Sequence, residues 1–401
     1  MIPKTTLGSF QKFLGVLLLL LCFVGIFIVY YNPTVSWLTC SKVAAVPVHE
    51  VCTDACLNVL QTEDLERLNL TSALNCTSER NQLSPKEAAV VQENTSSRNA
   101  SSPNTIVLVW PWPFGYSFDS ESCGPTYGIT GCHLTDDRSV YGRAHAVMFH
   151  HRDISGDVSS LLAMERPPLQ RWVWMNMESP DFSASVPSMD NLFNLTASYR
   201  RDSDIWVPYG QLVGISEEDE PFRIPTKDKL VCWIVSHWKS EFKRVQYFEE
   251  LRQHMEVNAY GHSFGKHMSD QDFQAVIPSC KFYLSFENSV YKDYITEKLF
   301  NPMIMGSVPV VLGPSRENYE EFIPADSFIH VDDFKTPKEL AEHLKLLDQN
   351  QEMYEQYFAW RKHFVARRSD FGLEHACRIC DHIKRNKGYR VFKNLNKWYW
   401  G

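Results

Sequence analysis

The chain contains the stretch Phe282-Tyr-Leu-Ser-Phe-Glu-Asn-Ser-Val-Tyr-Lys-Asp-Tyr-Ile-Thr-Glu-Lys298, which leads on to Val308-Pro-Val-Val-Leu-Gly-Pro-Ser-Arg316. Its apolar, aromatic start predicts a buried strand, and a polar loop then leads into a helix predicted to begin near Ile295. A second buried strand is predicted at Val308–Leu312. Ligands bind such strand-helix-strand units where the carboxyl end of a strand meets the first turn of a helix. This order of elements predicts an α/β fold with a nucleotide site in the loop.

The residue types of the loop support a nucleotide ligand. Asn288, Tyr294, Glu297 and Lys298 supply an amide, a phenol, a carboxylate and an ammonium group. Together these groups could satisfy ribose hydroxyls and a diphosphate. Glu297 and Lys298 could equally be ordinary solvated charges on a helix, and spacing alone does not separate the two interpretations.

The globular part is predicted to consist of two consecutive α/β sets. Further strands are predicted at 106–112, 146–151, 171–178, 230–236, 327–331 and at a short segment ending in Tyr260-Gly261, and helices at 241–254 and from Thr336. An acidic, proline-containing segment at 217–229 separates the sets and is typical of an interdomain linker. We therefore predict two Rossmann-like domains around a cleft, at 104–225 and 226–370.

The N-terminal part predicts a membrane anchor and a stem. Residues 13–31 are uncharged and apolar over about the ~20 residues that a spanning helix needs. Lys4 and Lys12 precede them, which places the tail 1–12 in the cytoplasm. Residues 32–103 are polar and read as a flexible stem, so the globular part should be lumenal. Five glycosylation sequons agree with this compartment and begin at Asn69, Asn75, Asn94, Asn99 and Asn194.

The net charge and the cysteine content indicate which partners and which cellular compartment to expect. The 401-residue chain has a formal charge of −8, which argues against a nucleic-acid partner. Its 11 cysteines are typical of an oxidising compartment. The Cys377-Arg-Ile-Cys380 motif could be half of a zinc site or a redox pair, but structural disulfides are preferred because no second such motif lies at zinc spacing. The stem cysteines could pair within one chain or between two chains. Pairing between two chains would give a homodimer.

Two runs resemble a known family. The run Phe286-Glu-Asn-Ser, followed by Asp293-Tyr-Ile-Thr-Glu-Lys298 and Val308-Pro-Val-Val-Leu-Gly-Pro-Ser-Arg316, resembles the donor-site signature of the Golgi α-1,3-fucosyltransferases. Trp174-Met-Asn-Met-Glu-Ser-Pro180 resembles the family stretch that holds the catalytic base. The resemblance covers about residues 104–400 and implies a type II Golgi membrane enzyme of GT-B architecture. It would transfer L-fucose from GDP-β-L-fucose, with inversion and without an essential metal or other cofactor. The implied acceptor is O3 of GlcNAc in type 2 N-acetyllactosamine glycans of glycoproteins and glycolipids, which gives Lewis x.

Catalytic and donor-binding residues follow from the reaction that the resemblance implies. An inverting transfer needs a base for the acceptor hydroxyl and cations for the leaving diphosphate. Glu178, at the end of a predicted strand, is the expected base, with Glu287 as its rival and an exposed strand-end glutamate as the plain alternative. Arg244 and Lys298 are expected to hold the diphosphate, and Lys243 has equal charge to Arg244. The remaining expected donor-binding residues are Ser236, Tyr260, Asn288, Tyr294 and Glu297, and His237 stands where the family has Asn.

The acceptor side is expected to include Tyr116, Arg152 and Glu178. In the family, an arginine at the position of Arg152 goes with type 2 acceptors, whereas Tyr116 replaces a glutamine of close relatives. Trp110, Trp112 and Phe114 could stack on sugar faces, although aromatic residues in an apolar strand are more often core.

The resemblance also implies three disulfides, Cys123–Cys377, Cys132–Cys380 and Cys232–Cys280. The first two would return the tail 371–401 to the first domain. Two other functions remain open at this point. One is a metal-dependent transferase using Asp202-Ser-Asp204, a short motif that we interpret as structural. The other is a membrane-anchored lectin without catalysis.

Overall fold

A computed structural model describes residues 105–401. The predicted cytoplasmic tail, anchor and stem, the stem cysteines and the sequons at Asn69, Asn75, Asn94 and Asn99 lie outside these residues. Within 105–401, no helix has the length and apolar content needed to cross a bilayer.

The described part is an α/β structure. Its strands are β1 Thr105–Val109, β2 Cys132–Thr135, β3 Ala146–His150, β4 Arg171–Asn176, β5 Leu195–Ser198, β6 Ile205–Trp206, β7 Gly210–Gly214, β8 Lys229–Ile234, β9 Asn258–Tyr260, β10 Cys280–Phe286, β11 Val308–Leu312, β12 Ile329–His330 and β13 Phe364–Arg368. Its helices are α1 Cys123–Tyr127, α2 His151–Ile154, α3 Val158–Leu162, α4 Lys243–Leu251, α5 Asp270–Ser279, α6 Glu297–Met305, α7 Arg316–Glu320, α8 Pro337–Gln349, α9 Gln351–Gln356, α10 Leu373–Arg385 and α11 Leu395–Trp400.

The strands form two parallel sheets. The first has the order β2-β1-β3-β4-β5-β6, and the second has the order β12-β11-β10-β8-β9. In the second, β10 lies between β8 and β11, with Phe282 opposite Val231 and Val308. Both central strands of this unit are buried on both faces, as parallel strands covered by helices must be. The strand-helix-strand unit predicted from the sequence is therefore present.

The helix of this unit begins slightly later than predicted. Its N-cap is Thr296, whose side chain accepts a hydrogen bond from the backbone N–H of Lys298. Ile295 precedes the cap and is buried instead. Since a threonine cap satisfies one of the free N–H groups of the first turn, the helix begins at Glu297. Glu297 and Lys298 therefore lie in the first turn of this helix.

The segments that connect the two parallel sheets contain strands β7 and β13, which form a two-stranded antiparallel sheet. Strand β7 follows the first sheet, β13 follows the second, and the two pair from Gly210 opposite Arg368 to Gly214 opposite Phe364. Between β7 and β8, residues 215–228 form turns and extended segments without regular structure, where the linker was predicted. Main-chain hydrogen bonds between β7 and β13 thus join the two connecting segments to each other.

The C-terminal residues return to the first sheet. Helix α10 packs against β1, β2 and β3. Disulfides join Cys123 to Cys377 and Cys132 to Cys380, and a third joins Cys232 to Cys280 in the second sheet. These are the three pairs that the resemblance implies. Cys377 and Cys380 belong to different disulfides, which excludes both the zinc and the redox interpretation of their motif.

The sequon at Asn194 is buried, which contradicts the expectation of a glycan there. Asn194 is 1% exposed. Its Oδ1 accepts from the Trp172 N–H at 2.8 Å and from Arg166 at 3.1 Å, and its Nδ2 donates to the Arg390 carbonyl at 2.6 Å. Because a glycan needs the free amide nitrogen at the surface, this side chain cannot carry one in the folded domain.

Candidate functional site

A polar cavity of about 350 Å³ lies at the carboxyl edge of the second sheet. The ends of β8 and β10 and the first turns of α4, α5 and α6 contribute to it. Among its lining residues are Ser236, His237, Arg244, Met268, Ser269, Asp270, Tyr283, Asn288, Glu297, Lys298 and Asn301. The structure therefore brings together five predicted donor-binding residues from two separate stretches, 236–244 and 288–298.

Arg244 is the buried cation of this cavity. It lies in the first turn of α4 and is 3% exposed. Its guanidinium donates to Asn288 Oδ1 and to the carbonyl of His237, and its Nε has no partner among the described residues. Burial lowers the pKa of Arg244, while the carboxylates of Glu287 and Glu297 oppose that shift. The group remains a cation with donor capacity to spare, which suits a phosphate ligand.

Lys298 supplies the second cation. Its Nζ lies 2.9 Å from Glu297 Oε1, 3.0 Å from Thr296 Oγ1 and 3.5 Å from Glu287 Oε2. Burial acts to lower the pKa of Lys298, but the two carboxylates outweigh it and raise the pKa. The ammonium group also lies in the first turn of α6, where free N–H groups favour anions. Arg244 and Lys298 can therefore neutralise a diphosphate between them.

Glu287, the rival candidate for the base, is fully engaged. It is 2% exposed, and its carboxylate accepts from the Thr296 N–H at 2.8 Å and from the Thr296 hydroxyl. Burial raises its pKa, and the charge of Lys298 opposes that shift. Both oxygens are used inside the protein, so Glu287 holds the start of α6 and positions Lys298 rather than facing an acceptor.

Glu178 has the properties that a base requires. It lies two residues beyond β4, is half-buried, and its carboxylate has no hydrogen-bond partner within residues 105–401. Burial raises the pKa of Glu178, while the positive charges of Lys298 and Arg152 oppose that shift. A carboxylate with free oxygens and a raised pKa can take a proton from a hydroxyl.

Three hydrogen bonds hold the backbone around Glu178. Its N–H donates to Asn176 Oδ1 at 3.2 Å, and its carbonyl accepts from the hydroxyl of Tyr399. The carbonyl of Met177 accepts from the hydroxyl of Tyr209. Tyr399 belongs to α11 at the extreme C-terminus, so the last helix fixes the segment that carries the candidate base.

The loop 288–296 joins the two sheets next to this site. Ser289 and Ser179 share a hydrogen bond of 2.9 Å between their hydroxyls, and the Tyr291 hydroxyl donates to Asp181 at 2.7 Å. The carboxylate of Asp293 accepts from the Arg201 N–H at 3.1 Å. These contacts bring Lys298 on one sheet within electrostatic range of Glu178 on the other.

Two predicted donor-binding residues are absent from the cavity lining. Tyr260 closes β9, with the Lys266 ammonium 5.0 Å from its ring centroid. Tyr294 is buried between the sheets, and its ring centroid lies 5.1 Å from that of Tyr199 and 6.2 Å from that of Tyr209. The hydrophobic part of the Tyr294 ring thus fills the junction of the sheets. The sequence gives no sign of this contact, because its partners are about 90 residues away.

The predicted acceptor residues lie at the carboxyl edge of the first sheet. Arg152 is exposed in α2, directly after β3. Tyr116 is 74% exposed and follows the turn after β1. Since Glu178 follows β4 in the same parallel sheet, all three residues lie along one edge.

Asp202 and Asp204 are engaged in ion pairs and hydrogen bonds. The Asp202 carboxylate accepts from Arg200 at 2.9 and 2.7 Å and from the Trp398 indole at 3.0 Å. The Asp204 carboxylate accepts from the Thr196 N–H at 2.9 Å and from Arg390. Residues 105–401 contain no group of three or more His, Cys, Asp and Glu side chains placed to hold a metal ion. The contacts of the Asp-x-Asp motif are those of a structural element.

Sequence reasoning missed the wall of the cavity formed by Met268, Ser269 and Asp270. Ser269 caps α5 and forms a reciprocal capping box with Asp272. The spacing in Ser269-Asp-Gln-Asp272 is a recognisable helix start. This spacing predicts the start of helix α5, which contributes this wall of the cavity.

The sequence is similar to those of known proteins along most of its length. Residues 102–210 match the family model "Fucosyltransferase, N-terminal", and residues 224–398 match "Glycosyltransferase family 10 (fucosyltransferase) C-term". The chain is 46% identical over 401 residues to "4-galactosyl-N-acetylglucosaminide 3-alpha-L-fucosyltransferase 9" of Rattus norvegicus and of Homo sapiens, with 99% of each chain covered. It is 41% identical over 313 residues to "3-galactosyl-N-acetylglucosaminide 4-alpha-L-fucosyltransferase FUT3" of Pan troglodytes, covering 77% of this chain and 82% of that one. A solved "alpha1,3-Fucosyltransferase with GDP" aligns with a TM-score of 0.45 at 14% identity, over 73% of this chain and 92% of the other.

Proposed function

This chain belongs to glycosyltransferase family 10, the fucosyltransferases, and on that premise we propose that it transfers L-fucose from GDP-β-L-fucose to O3 of GlcNAc in type 2 N-acetyllactosamine glycans. The product would carry the Lewis x linkage. The names of the relatives that match along their whole length support this acceptor and regiochemistry. The observation that carries the proposal is the free, half-buried carboxylate of Glu178 within electrostatic range of Lys298.

The proposed mechanism is a single in-line displacement. Glu178 takes the proton of the GlcNAc O3 hydroxyl, and that oxygen attacks the anomeric carbon of fucose as the bond to the GDP oxygen breaks. The configuration at that carbon inverts, and the electron pair leaves with GDP. A base with its pKa raised by burial suits the first step, because it is more basic than an exposed glutamate.

Arg244 and Lys298 are proposed to stabilise the departing diphosphate. They line the same cavity from α4 and α6, and both sit in the first turn of their helix. Developing negative charge on GDP would then meet two fixed cations and two helix N-termini without a metal ion. Ser236, Asn288 and Glu297 line the same cavity and are proposed to bind the rest of the nucleotide. Tyr260 and Tyr294 are proposed as donor-binding residues that lie outside the lining of this cavity.

The architecture and location are proposed on the same premise. The two parallel sheets, with the nucleotide cavity on one and Glu178 on the other, would be the two domains of a GT-B enzyme. The boundaries proposed are 104–225 and 226–370, with 371–401 returning to the first domain. The predicted anchor at 13–31 would hold the chain in the Golgi membrane as a type II protein, with the catalytic part in the lumen.

The test is a linkage analysis with the full-length enzyme in detergent. The enzyme is incubated with GDP-fucose and Galβ1-4GlcNAc in the presence of EDTA, and the product is examined by mass and by linkage. We expect one fucose on O3 of GlcNAc. Fucose at another position would refute the regiochemistry, and activity that disappears with EDTA and returns with manganese would refute metal independence.

A matched pair of variants tests the roles of the two glutamates. We expect Glu178→Gln to abolish transfer and to leave GDP binding unchanged, since Glu178 is not part of the nucleotide cavity. Glu287→Gln should instead weaken GDP binding and stability, because it disturbs Thr296 and Lys298. Near-normal turnover of Glu178→Gln would remove Glu178 as the base.

A further inference from the structure

Of Trp110, Trp112 and Phe114, which the sequence suggests as residues that could stack on sugars, Phe114 is the exposed one. The Arg138 guanidinium lies 3.9 Å from the ring centroid of Trp110, which also packs against Phe149. Trp112 donates its indole N–H to Asp136 at 2.8 Å and meets Phe118 edge-on. Both tryptophans are half-buried and in contact with other side chains, whereas Phe114 is 43% exposed.

Phe114 forms a stacked pair with Phe371, which we call the aromatic shelf. The two ring centroids are 5.7 Å apart, with an angle of 29° between the ring planes. Phe371 is 39% exposed. The imidazole of His150 lies behind the pair, 4.6 Å from Phe114 and 5.8 Å from Phe371 between centroids. The protein therefore supports the shelf from behind and leaves its outer surface in solvent.

The backbone of Phe114 is held in an unfavourable conformation. Its φ is 53° and its ψ is 20°, in the left-handed region that bulky side chains avoid. Asp153 holds it there: its carboxylate accepts from the Phe114 N–H at 2.9 Å and pairs with His150 Nδ1 at 2.6 Å. Such strain persists where the surroundings enforce it, and it concentrates at functional sites.

The Phe371 side of the shelf is fixed just as firmly. The Tyr127 hydroxyl donates to Asp370 at 2.8 Å, and the disulfide Cys123–Cys377 ties the same two segments. Gly372 has a φ of 84°, and a Cβ there would lie 2.9 Å from the Phe118 ring. The chain thus uses a disulfide, a side-chain hydrogen bond and a glycine to present an exposed ring.

We propose that the aromatic shelf stacks on a pyranose ring of the acceptor glycan, on the reducing side of the disaccharide that receives fucose. Phe114 follows β1, Asp153 follows β3 and Glu178 follows β4. These three strands are neighbours in one parallel sheet, so the shelf and Glu178 lie along the same edge of that sheet. The apolar face of a sugar ring fits a flat aromatic surface at the edge of a site. A GlcNAc within a glycan always continues toward its reducing end, so such a ring is present in natural acceptors. This inference rests on the proposed function and adds a specificity site to it.

The test compares two acceptors by calorimetry on the full-length enzyme with GDP bound. One is Galβ1-4GlcNAc, and the other is the same disaccharide extended at its reducing end by a second disaccharide. We expect the extended glycan to bind more tightly to the wild type, and Phe371→Ala to reduce that advantage by about two- to tenfold, the range for an aromatic contact. Affinity for the short disaccharide should not change. Phe114→Ala should act in the same direction, and Phe364→Ala, which truncates a phenylalanine that is 38% exposed on β13, should have no effect.

The measured affinities either support or overturn the proposed role of the aromatic shelf. It is overturned by equal affinity for both glycans in the wild type, by an advantage that survives both shelf variants, by an equal loss of affinity for both acceptors, or by no binding of either. Transfer is measured separately on the same samples. An extended glycan that depends on Phe371 for binding but receives no fucose would refute the proposed function and leave the shelf standing. Normal transfer of fucose, together with a shelf variant in which the ratio of the affinities for the two glycans is the same as in the wild type, would support the proposed function and refute the role of the shelf.

Discussion

Replacing Tyr399 by Phe removes one hydroxyl that lies on the backbone of the candidate base. The Tyr399 hydroxyl donates to the Glu178 carbonyl. The Tyr399 ring is buried, and its centroid lies 4.8 Å from that of Trp174. Because Phe keeps the ring, the variant should fold. The lost hydrogen bond is worth about 1 kcal/mol. If that energy holds Glu178 in its reactive position, kcat should fall about fivefold.

The assay is a set of initial rates at saturating acceptor with GDP-fucose varied. We expect a lower kcat and an unchanged KM for GDP-fucose, since the nucleotide cavity lies on the other sheet. Tyr209→Phe removes the matching bond to the Met177 carbonyl and should also lower kcat. The double variant should lose less than the sum of both, because both bonds hold one segment.

Tyr389→Phe is the control, since it makes the same chemical change at a tyrosine that is 41% exposed. It should leave kcat unchanged. A Tyr399→Phe enzyme with wild-type kcat, or one in which only the KM for GDP-fucose rises, would show that the last helix does not position the base.

Three further predictions concern glycosylation, folding and pH. Asn194→Gln should lower the melting temperature without changing the glycan mass, because Asn194 makes buried hydrogen bonds; a loss of one glycan by mass spectrometry would contradict this. Changing Cys123 and Cys377 together to Ala should lower the free energy of unfolding by about 3 kcal/mol, measured by denaturant titration, since Cys132–Cys380 still joins the two segments and only a short additional loop is released. As burial raises the pKa of Glu178, the acid limb of kcat/KM against pH should have its midpoint above the 4.5 usual for glutamate, with activity rising as the base loses its proton. Arg152→Met should move that midpoint higher, because the charge of Arg152 opposes the rise; an unchanged limb would contradict the proximity of the two groups.

The parts of the fold that the sequence predicts well are those set by local chemistry. Strand β10 is rich in apolar and aromatic residues and begins two residues before the predicted start at Phe282, and β11 is an unbroken apolar run with the predicted bounds. Helix α8 begins as predicted, because Thr336 caps it and Pro337 occupies its first position. Helix α5 was missed, since Pro278 lies inside it and its outer face is polar.

The site was predicted less completely, because its selection depends on contacts distant in sequence. Glu178 and Glu287 both follow a buried strand, and the sequence does not separate them. In the structure, Thr296 occupies the Glu287 carboxylate, whereas no described residue occupies that of Glu178. The same limit applies to Asn194, whose sequon is intact while its side chain is buried by a segment almost two hundred residues later.

The two disulfides of helix α10 have a consequence for biosynthesis. Cys123 and Cys132 are synthesised before their partners, which follow 254 and 248 residues later. The Cys232–Cys280 pair spans only 48 residues and can oxidise well before that. The second sheet can therefore receive its disulfide before the cysteines that close the first sheet have been synthesised. Until Cys377 and Cys380 are present, Cys123 and Cys132 lack their native partners and are open to pairing with other thiols.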